Sequence, residues 1–132
     1  MFLNRLNEVE KKAFLELAHY VARCDGNFMD EQKEIIKQYC NEMQIEDINF
    51  KEEKFDIYDV LSKIKNKRSQ KIVLLEIMAL IYADDYLHEE ERKVLEKMFE
   101  EFDLNYNLSV IYAQWAKAML SLYIQGNALI EL

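Results

Sequence analysis

The sequence predicts an all-α fold, a single-domain bundle of about six helices. Its 132 residues contain no proline and only two glycines, the two residue types that most often interrupt helices. About half of the residues (51%) are hydrophobic, which a disordered chain does not show. Apolar residues recur at spacings of three and four, the period of an amphipathic helix. We therefore treat residues 1–132 as one domain with a buried core.

The first half of the chain contains three predicted helices. The first spans residues 3–24, with an expected core face of Leu6, Val9, Ala13, Leu17, Val21 and Cys24. The second spans residues 30–43 and opens with Asp30 and Glu31, because the helix dipole favours negative charge at that end. A shorter third helix spans residues 55–64, with an expected inner face of Phe55, Tyr58, Leu61 and Ile64.

The fourth predicted helix, residues 70–83 with Ser69 as its N-cap, is expected to be the central element. From residue 72 to residue 83 it is apolar at every position except Glu76. A buried strand is the alternative, but the length of the run and its lack of alternation favour a helix buried on all sides. We expect Glu76 to be paired, because an unpaired buried charge is costly. The expected core residues are Leu75, Ile77, Met78, Leu80 and Ile81.

Two further helices complete the prediction. The fifth spans residues 89–102. The sixth begins after Asn107 or Ser109 and stops at Gly126, because glycine commonly follows the end of a helix. Its apolar residues are Leu108, Ile111, Trp115, Met119 and Leu122 on one face, with Ala116, Leu120 and Tyr123 beside them. Residues 128–132 are apolar at four of five positions, so this tail either docks on the body or joins a partner surface.

The charge of the chain excludes several classes of partner. A net charge of −8 repels phosphate backbones, so nucleic acid is not an expected partner. Residues 63–71 hold five basic residues in nine, which indicates either an interaction patch or a solvated connection between helices. No apolar run is long enough to cross a bilayer, and residues 1–5 lack the pattern of a signal peptide. We expect a cytoplasmic protein that does not insert into membranes.

An internal repeat is the strongest sequence feature. Residues 22–36 return in altered form at residues 81–95, with Asp25 on Asp84 and Phe28 on Leu87 at an offset of 59 residues. Each copy reads as the end of a helix, an acidic elbow and the start of a second helix. We call residues 24–29 the first elbow and residues 83–88 the second. The acids that open the following helices are Asp30 and Glu31 in the first copy, and Glu89, Glu90 and Glu91 in the second.

Two such elbows in one helical domain resemble the tellurite-resistance TerB-like family, over about residues 15–123 of this chain. That family pairs helices around two acidic loops, and its first member is linked to tellurite and other stress resistance. Its typical elbow has Asp, then Gly, then Ser or Asp four positions after the first Asp, and Glu at seven. Matching residues are Asp25 and Gly26 in the first elbow, and Asp84 and Glu91 at the second. Departures are Met29 and Gln32 in the first copy, and Asp85 and His88 in the second.

The resemblance implies a divalent-cation site, for calcium or magnesium, mainly at the second elbow. Hard cations prefer carboxylate oxygens, and the second copy puts five carboxylates into eight residues. The candidate metal ligands are Asp84, Glu91, Asp85 and Asp25. A calcium EF-hand is excluded, because Val21 and Arg23 would occupy its first and third ligand positions.

The same acids have an architectural interpretation. Asp25 and Asp84 are then caps of the helices that follow. Glu91 is the third residue after His88, so its side chain can accept a hydrogen bond from the His88 amide, as in a capping box. In that case the repeated elbows are signatures of the fold rather than ligand sites.

Catalysis has little support from the sequence. His19 and His88 are the only histidines, and His19 is expected to be packed in a helix rather than to act as a base. No nucleophile motif and no glycine-rich phosphate loop is present. We expect a non-enzymatic acidic binding module of the TerB-like kind, with or without a metal. The alternative is a metal-free protein-interaction module, a homodimer, that uses the C-terminal aromatic helix and the apolar tail.

Overall fold

The computed structural model describes residues 1–24, 26, 28–84 and 87–132, with the side chain of Asp84 left out. Within those residues the chain is helical and contains no strand, so the predicted all-α class is confirmed. Short 3-10 turns lie at Leu3–Arg5, Glu52–Lys54 and Tyr82–Asp84. The α-helices are α1 (Glu8–Arg23), α2 (Asp30–Met43), α3 (Ile57–Ser62), α4 (Lys67–Ile81), α5 (Glu89–Glu101) and α6 (Leu108–Ile130).

The internal repeat is visible in the bounds of the helices. α1 begins after Asn7 and α4 begins after Asn66, which lies 59 residues further along the chain. The Asn7 side chain accepts a hydrogen bond from the Glu10 amide at 2.8 Å. The Asn66 side chain accepts from the amides of Arg68 (2.8 Å) and Ser69 (3.3 Å). Both helices therefore start where an asparagine satisfies amides that have no partner inside the helix.

These caps correct two predicted helix starts. The first helix begins at Glu8 rather than at residue 3, because Asn7 caps it and Leu3–Arg5 forms a separate turn. Ser69 is not the N-cap of the fourth helix, since it already lies in its first turn. The basic run at residues 63–71 is consequently not only a connection, because its second half forms the start of α4.

α4 is the central element, as predicted. It packs against α1, α5 and α6, and its side chains Val73, Leu74 and Ile77 are fully buried. Leu75 is only half-buried, whereas the other four expected core residues are buried: Ile77, Met78, Leu80 and Ile81. The covering of α4 on several sides follows from its composition, since a helix apolar nearly all round has no face suited to water.

The one acid on the apolar run of α4 is paired, as expected. Glu76 is buried, and its Oε1 accepts hydrogen bonds from the Met1 ammonium and from the Phe2 amide, each at 3.0 Å. Glu42 of α2 accepts from the Leu3 amide at 2.8 Å. The first residues of the chain are thus held between two carboxylates, and the cost of burying Glu76 is offset.

Two apolar residues that were predicted to face the core are exposed, one on α1 and one on α3. Val9 is exposed, although Ala13, Leu17 and Val21 of the same expected face are buried. α3 begins only after Asp56, whose side chain accepts from the Tyr58 and Asp59 amides. Tyr58 is therefore exposed, and the inner face of α3 consists of Ile57, Val60 and Leu61.

Candidate functional site

The three glutamates that open α5 already have partners close to them in the chain. Glu89 accepts hydrogen bonds from the Arg92 guanidinium at 2.6 and 3.2 Å, and this hydrogen bond lowers the pKa of Glu89. Glu90 pairs with the Lys93 ammonium at 3.2 Å. The Oε1 atom of Glu91 accepts from the His88 amide at 3.0 Å, which is the capping bond that the architectural interpretation predicts.

The predicted metal ligands are only partly within the described residues. Asp25 and Asp85 lie outside them, and Asp84 is described only as the last residue of the turn Tyr82–Asp84. Glu91 is buried and uses one oxygen for the capping bond. In the part of the chain that the structure describes, no group of three or more His, Cys, Asp or Glu side chains is placed to hold a metal ion. The cation site therefore stays a prediction.

The first elbow shows that the capping bond does not need a carboxylate. Gln32 occupies the position equivalent to Glu91, and its Oε1 atom accepts from the Met29 amide at 3.0 Å. Met29 and His88 are the N-cap residues, so neither Asp25 nor Asp84 takes that position. An amide and a carboxylate make the same bond in the two elbows, and this identifies the bond as part of the architecture.

The buried side chain of His19 is held by polar and aromatic contacts near the end of α1. The Arg23 guanidinium lies over the Phe28 ring, with 3.9 Å between Cζ and the ring centroid, and contacts His19 Nδ1 at 2.6 Å. His19 Nε2 lies 2.7 Å from an Asp47 oxygen. An arginine side chain can only donate hydrogen bonds, so His19 Nδ1 accepts one from Arg23. His19 Nε2 therefore carries the ring proton and donates a hydrogen bond to Asp47. Both ring nitrogens are occupied, and the prediction of a packed His19 is confirmed.

The cysteine thiol of α2 is likewise unsuited to catalysis. Burial raises the pKa of the Cys40 thiol to about 11, with Asp47 adding to the shift. At neutral pH the thiol stays protonated, and the thiolate is the form that acts as a nucleophile or metal ligand. Cys40 therefore behaves as a small apolar core residue.

The most unusual surface of the molecule lies on α6. Of its 23 residues only Ala116 is buried, although the helix carries a single charged residue, Lys117. Six exposed positions follow one another at spacings of four and three along the outer face. We call them the α6 stripe: Ile111, Trp115, Ala118, Leu122, Gln125 and Leu129. Ile111, Leu122 and Leu129 are each more than 60% exposed (61%, 62% and 68%).

α6 docks on the body only through its first half. Tyr112 and Ala113 pack against the core, and the Lys117 ammonium lies 4.7 Å from the centroid of the Tyr82 ring. Trp115 contacts Phe2 at a ring-centroid distance of 5.9 Å. Beyond residue 120 nearly every side chain is exposed, and the apolar tail at residues 128–132 does not dock on the body.

The end of α6 corrects the prediction that Gly126 stops the helix. The helix continues through Gly126 to Ile130, and a side chain at position 126 would meet open space. A glycine inside an exposed helix costs about 1 kcal/mol but does not by itself break the helix. The stripe therefore gains one more turn, which carries Leu129.

Comparison with known proteins gives no assignment. No protein-family model, no curated protein and no solved structure matches this chain. Among the described helices, not even α6 has the length and hydropathy needed to traverse a bilayer. The resemblance to TerB-like domains remains a prediction.

Proposed function

We propose that this protein is a non-enzymatic protein-binding module that associates through the α6 stripe, and that the occupant of the stripe is a second copy of the chain. The observation that carries this proposal is the exposure of a long apolar helix. Monomeric proteins rarely expose contiguous apolar patches larger than a few hundred Å². α6 is about 34 Å long at 1.5 Å per residue, and it exposes large apolar side chains along that length.

The spacing of the stripe fits a helical partner. Alternating steps of four and three residues are the pattern by which two helices pack side by side in a coiled coil. Ala118 is small and lets a second helix approach closely. Gln125 is the polar position of the stripe, and a single polar residue on such a seam selects one register and one number of strands.

The charge distribution favours a second copy over an oppositely charged partner. Residues 108–132 contain one lysine and one glutamate, so the net charge of −8 is carried by residues 1–107. Two copies repel one another through their bodies, but not through their C-terminal helices. Since the stripe itself carries no charge, it also offers nothing that would select a basic or acidic partner.

A cytoplasmic location is part of the proposal. Cys24 and Cys40 show no disulfide-framework spacing in the sequence, and reduced thiols are typical of that compartment. The resemblance to TerB-like domains supports a binding role rather than a catalytic one. A divalent cation is not required for association through α6.

Sedimentation velocity at several protein concentrations tests the proposal. We expect the full chain to associate, and Leu122→Glu to remain monomeric, because the substitution places a charge in the middle of the stripe. Tyr58→Glu is the matched control, since Tyr58 is a similarly exposed (52%) apolar residue on α3. A full chain that is monomeric at every concentration would overturn the proposal, as would equal weakening by the two variants.

A further inference from the structure

A cavity lined by residues outside α6 carries a second, independent inference. It has a volume of about 550 Å³ and lies between α1, residues 48–55 and the end of α3. Cavities that bind small molecules have volumes of about 300–1,000 Å³. None of its lining residues belongs to α6, so a ligand there would not compete with the proposed interface.

The cavity is basic although the protein is acidic. Four lysines line it, namely Lys12, Lys51, Lys54 and Lys63, together with one acid, Glu16. Lys63 makes an exposed salt bridge to Asp59 at 3.5 Å. The other three lysines form no ion pair with any described residue. Three lysines without an ion pair to a described residue line one cavity, and their positive charge would attract an anion with several negative charges.

The cavity also has an aromatic wall that is supported from behind. The rings of Phe50 and Phe55 lie 5.8 Å apart, centroid to centroid. Phe50 stacks on His19 at 5.6 Å, and Phe55 stacks on Tyr20 at 4.3 Å. Because both rings are held by packing, the wall is formed before any ligand arrives.

Val9 also lines the cavity, and this position accounts for its unexpected exposure. It is an apolar residue on α1 that is 58% exposed, whereas the rest of the apolar side of α1 is covered by the core. An apolar side chain beside Phe50 suits a ligand with an apolar or planar part. A simple inorganic anion would make no use of that part of the cavity.

We infer that this cavity binds an organic polyanion of the nucleotide class, with phosphate groups on the lysines and an aromatic ring against the Phe50–Phe55 wall. Lysine ammonium groups are common ligands of phosphate. Aromatic side chains stack on bases without requiring a particular sequence or base. A carboxylate with a single charge, such as a fatty acid, would leave most of the lysines uncompensated.

Titration calorimetry with ATP, inorganic triphosphate and adenosine as probes, without magnesium, tests the inference. We expect saturable binding of ATP, with both fragments bound about tenfold or more weakly, because each fragment lacks one half of the interaction. Raising the sodium chloride concentration should weaken the binding of ATP.

The variants are chosen on exposed side chains, so that the fold is retained and checked by its melting temperature. Lys51→Gln with Lys54→Gln should weaken ATP binding about tenfold or more. Lys37→Gln with Lys97→Gln removes the same charge from exposed sites outside the cavity and should leave the affinity unchanged. Val9→Glu places an acid in the cavity and should weaken ATP binding as well.

Three results would overturn the inference. The first is no saturable binding of ATP at millimolar concentration. The second is ATP binding that survives the Lys51 and Lys54 substitutions, or that the control pair weakens equally. The third is triphosphate binding as tight as that of ATP, which would show that the aromatic wall contributes nothing and remove the assignment to nucleotides.

Discussion

The run of α4 from residue 72 to residue 81, interrupted only by Glu76, and the whole of α6 are both largely apolar, yet their surroundings differ completely. In α4 ten of 15 residues are buried, because α1, α5 and α6 cover it. In α6 one of 23 residues is buried, and within the described chain the α6 stripe is covered only in part, where Trp115 contacts Phe2. Apolar composition thus predicts that a helix will be buried from water. It does not show whether the same chain or another molecule buries it. For α4 the cover is the chain itself, and for α6 we propose a second copy.

The largest effect is expected from truncating one leucine on each of the two helices. Leu80→Ala removes a buried side chain (3% exposed) and leaves a cavity, so it should lower the free energy of unfolding by about 2–5 kcal/mol. Leu122→Ala, at a concentration where the protein is monomeric, should change it by less than about 0.5 kcal/mol. Urea denaturation followed by circular dichroism measures both.

The protein concentration is the control for this pair. At high concentration the Leu122→Ala variant should become less stable than the wild type, because association stabilises the folded state by mass action. If Leu122→Ala destabilises the dilute monomer as much as Leu80→Ala does, then α6 is covered by its own chain and the comparison fails.

A smaller effect is expected at the elbow that follows α4. Glu91→Ala should lower the free energy of unfolding by about 1 kcal/mol, because the His88 amide loses its acceptor. Glu91→Gln should be nearly neutral, since Gln32 makes the same bond in the first elbow. Thermal melts of the two variants and of Gln32→Ala, which should resemble Glu91→Ala, measure this. A loss in Glu91→Gln as large as in Glu91→Ala would mean that the negative charge itself is needed.

The sequence predicts a feature well when nearby residues determine it, and poorly when a distant segment of the same chain determines it. The start of α2 at Asp30 and of α5 at Glu89 were predicted, because acids in a first turn are a local signal. The Asn7 and Asn66 caps were missed, although two asparagines 59 residues apart were a detectable repeat. Exposed Val9 was beyond prediction, because its exposure depends on where residues 48–55 pack.

The candidate sites were predicted less well than the fold. The exposed aromatic helix was anticipated as one alternative, but the continuation of α6 through Gly126 was not, since glycine usually ends a helix. The lysine cavity was not predicted at all. Lys12 lies some forty residues before Lys51, and only the packing of α1 against residues 48–55 brings them together.

The smallest effect is expected from divalent cations. A metal bound at the second elbow would mean that the region after α4, like α6, is completed by a binding partner rather than by its own chain. Because Glu89, Glu90 and Glu91 already have partners, we expect calcium chloride to shift the melting temperature no more than sodium chloride of equal ionic strength. A saturable rise with calcium that Asp84→Asn with Glu91→Gln abolishes would contradict this expectation and establish the cation site.

The most direct test of the proposed interface uses Trp115, the single tryptophan of the chain, which lies on the α6 stripe and is 36% exposed. Its fluorescence emission should move to shorter wavelength as the protein concentration rises, because a second α6 would exclude water from the ring. In Leu122→Glu the emission should stay at the wavelength of the dilute wild type. An emission that does not change with concentration, while sedimentation shows that the protein associates, would contradict the assignment of the interface to α6.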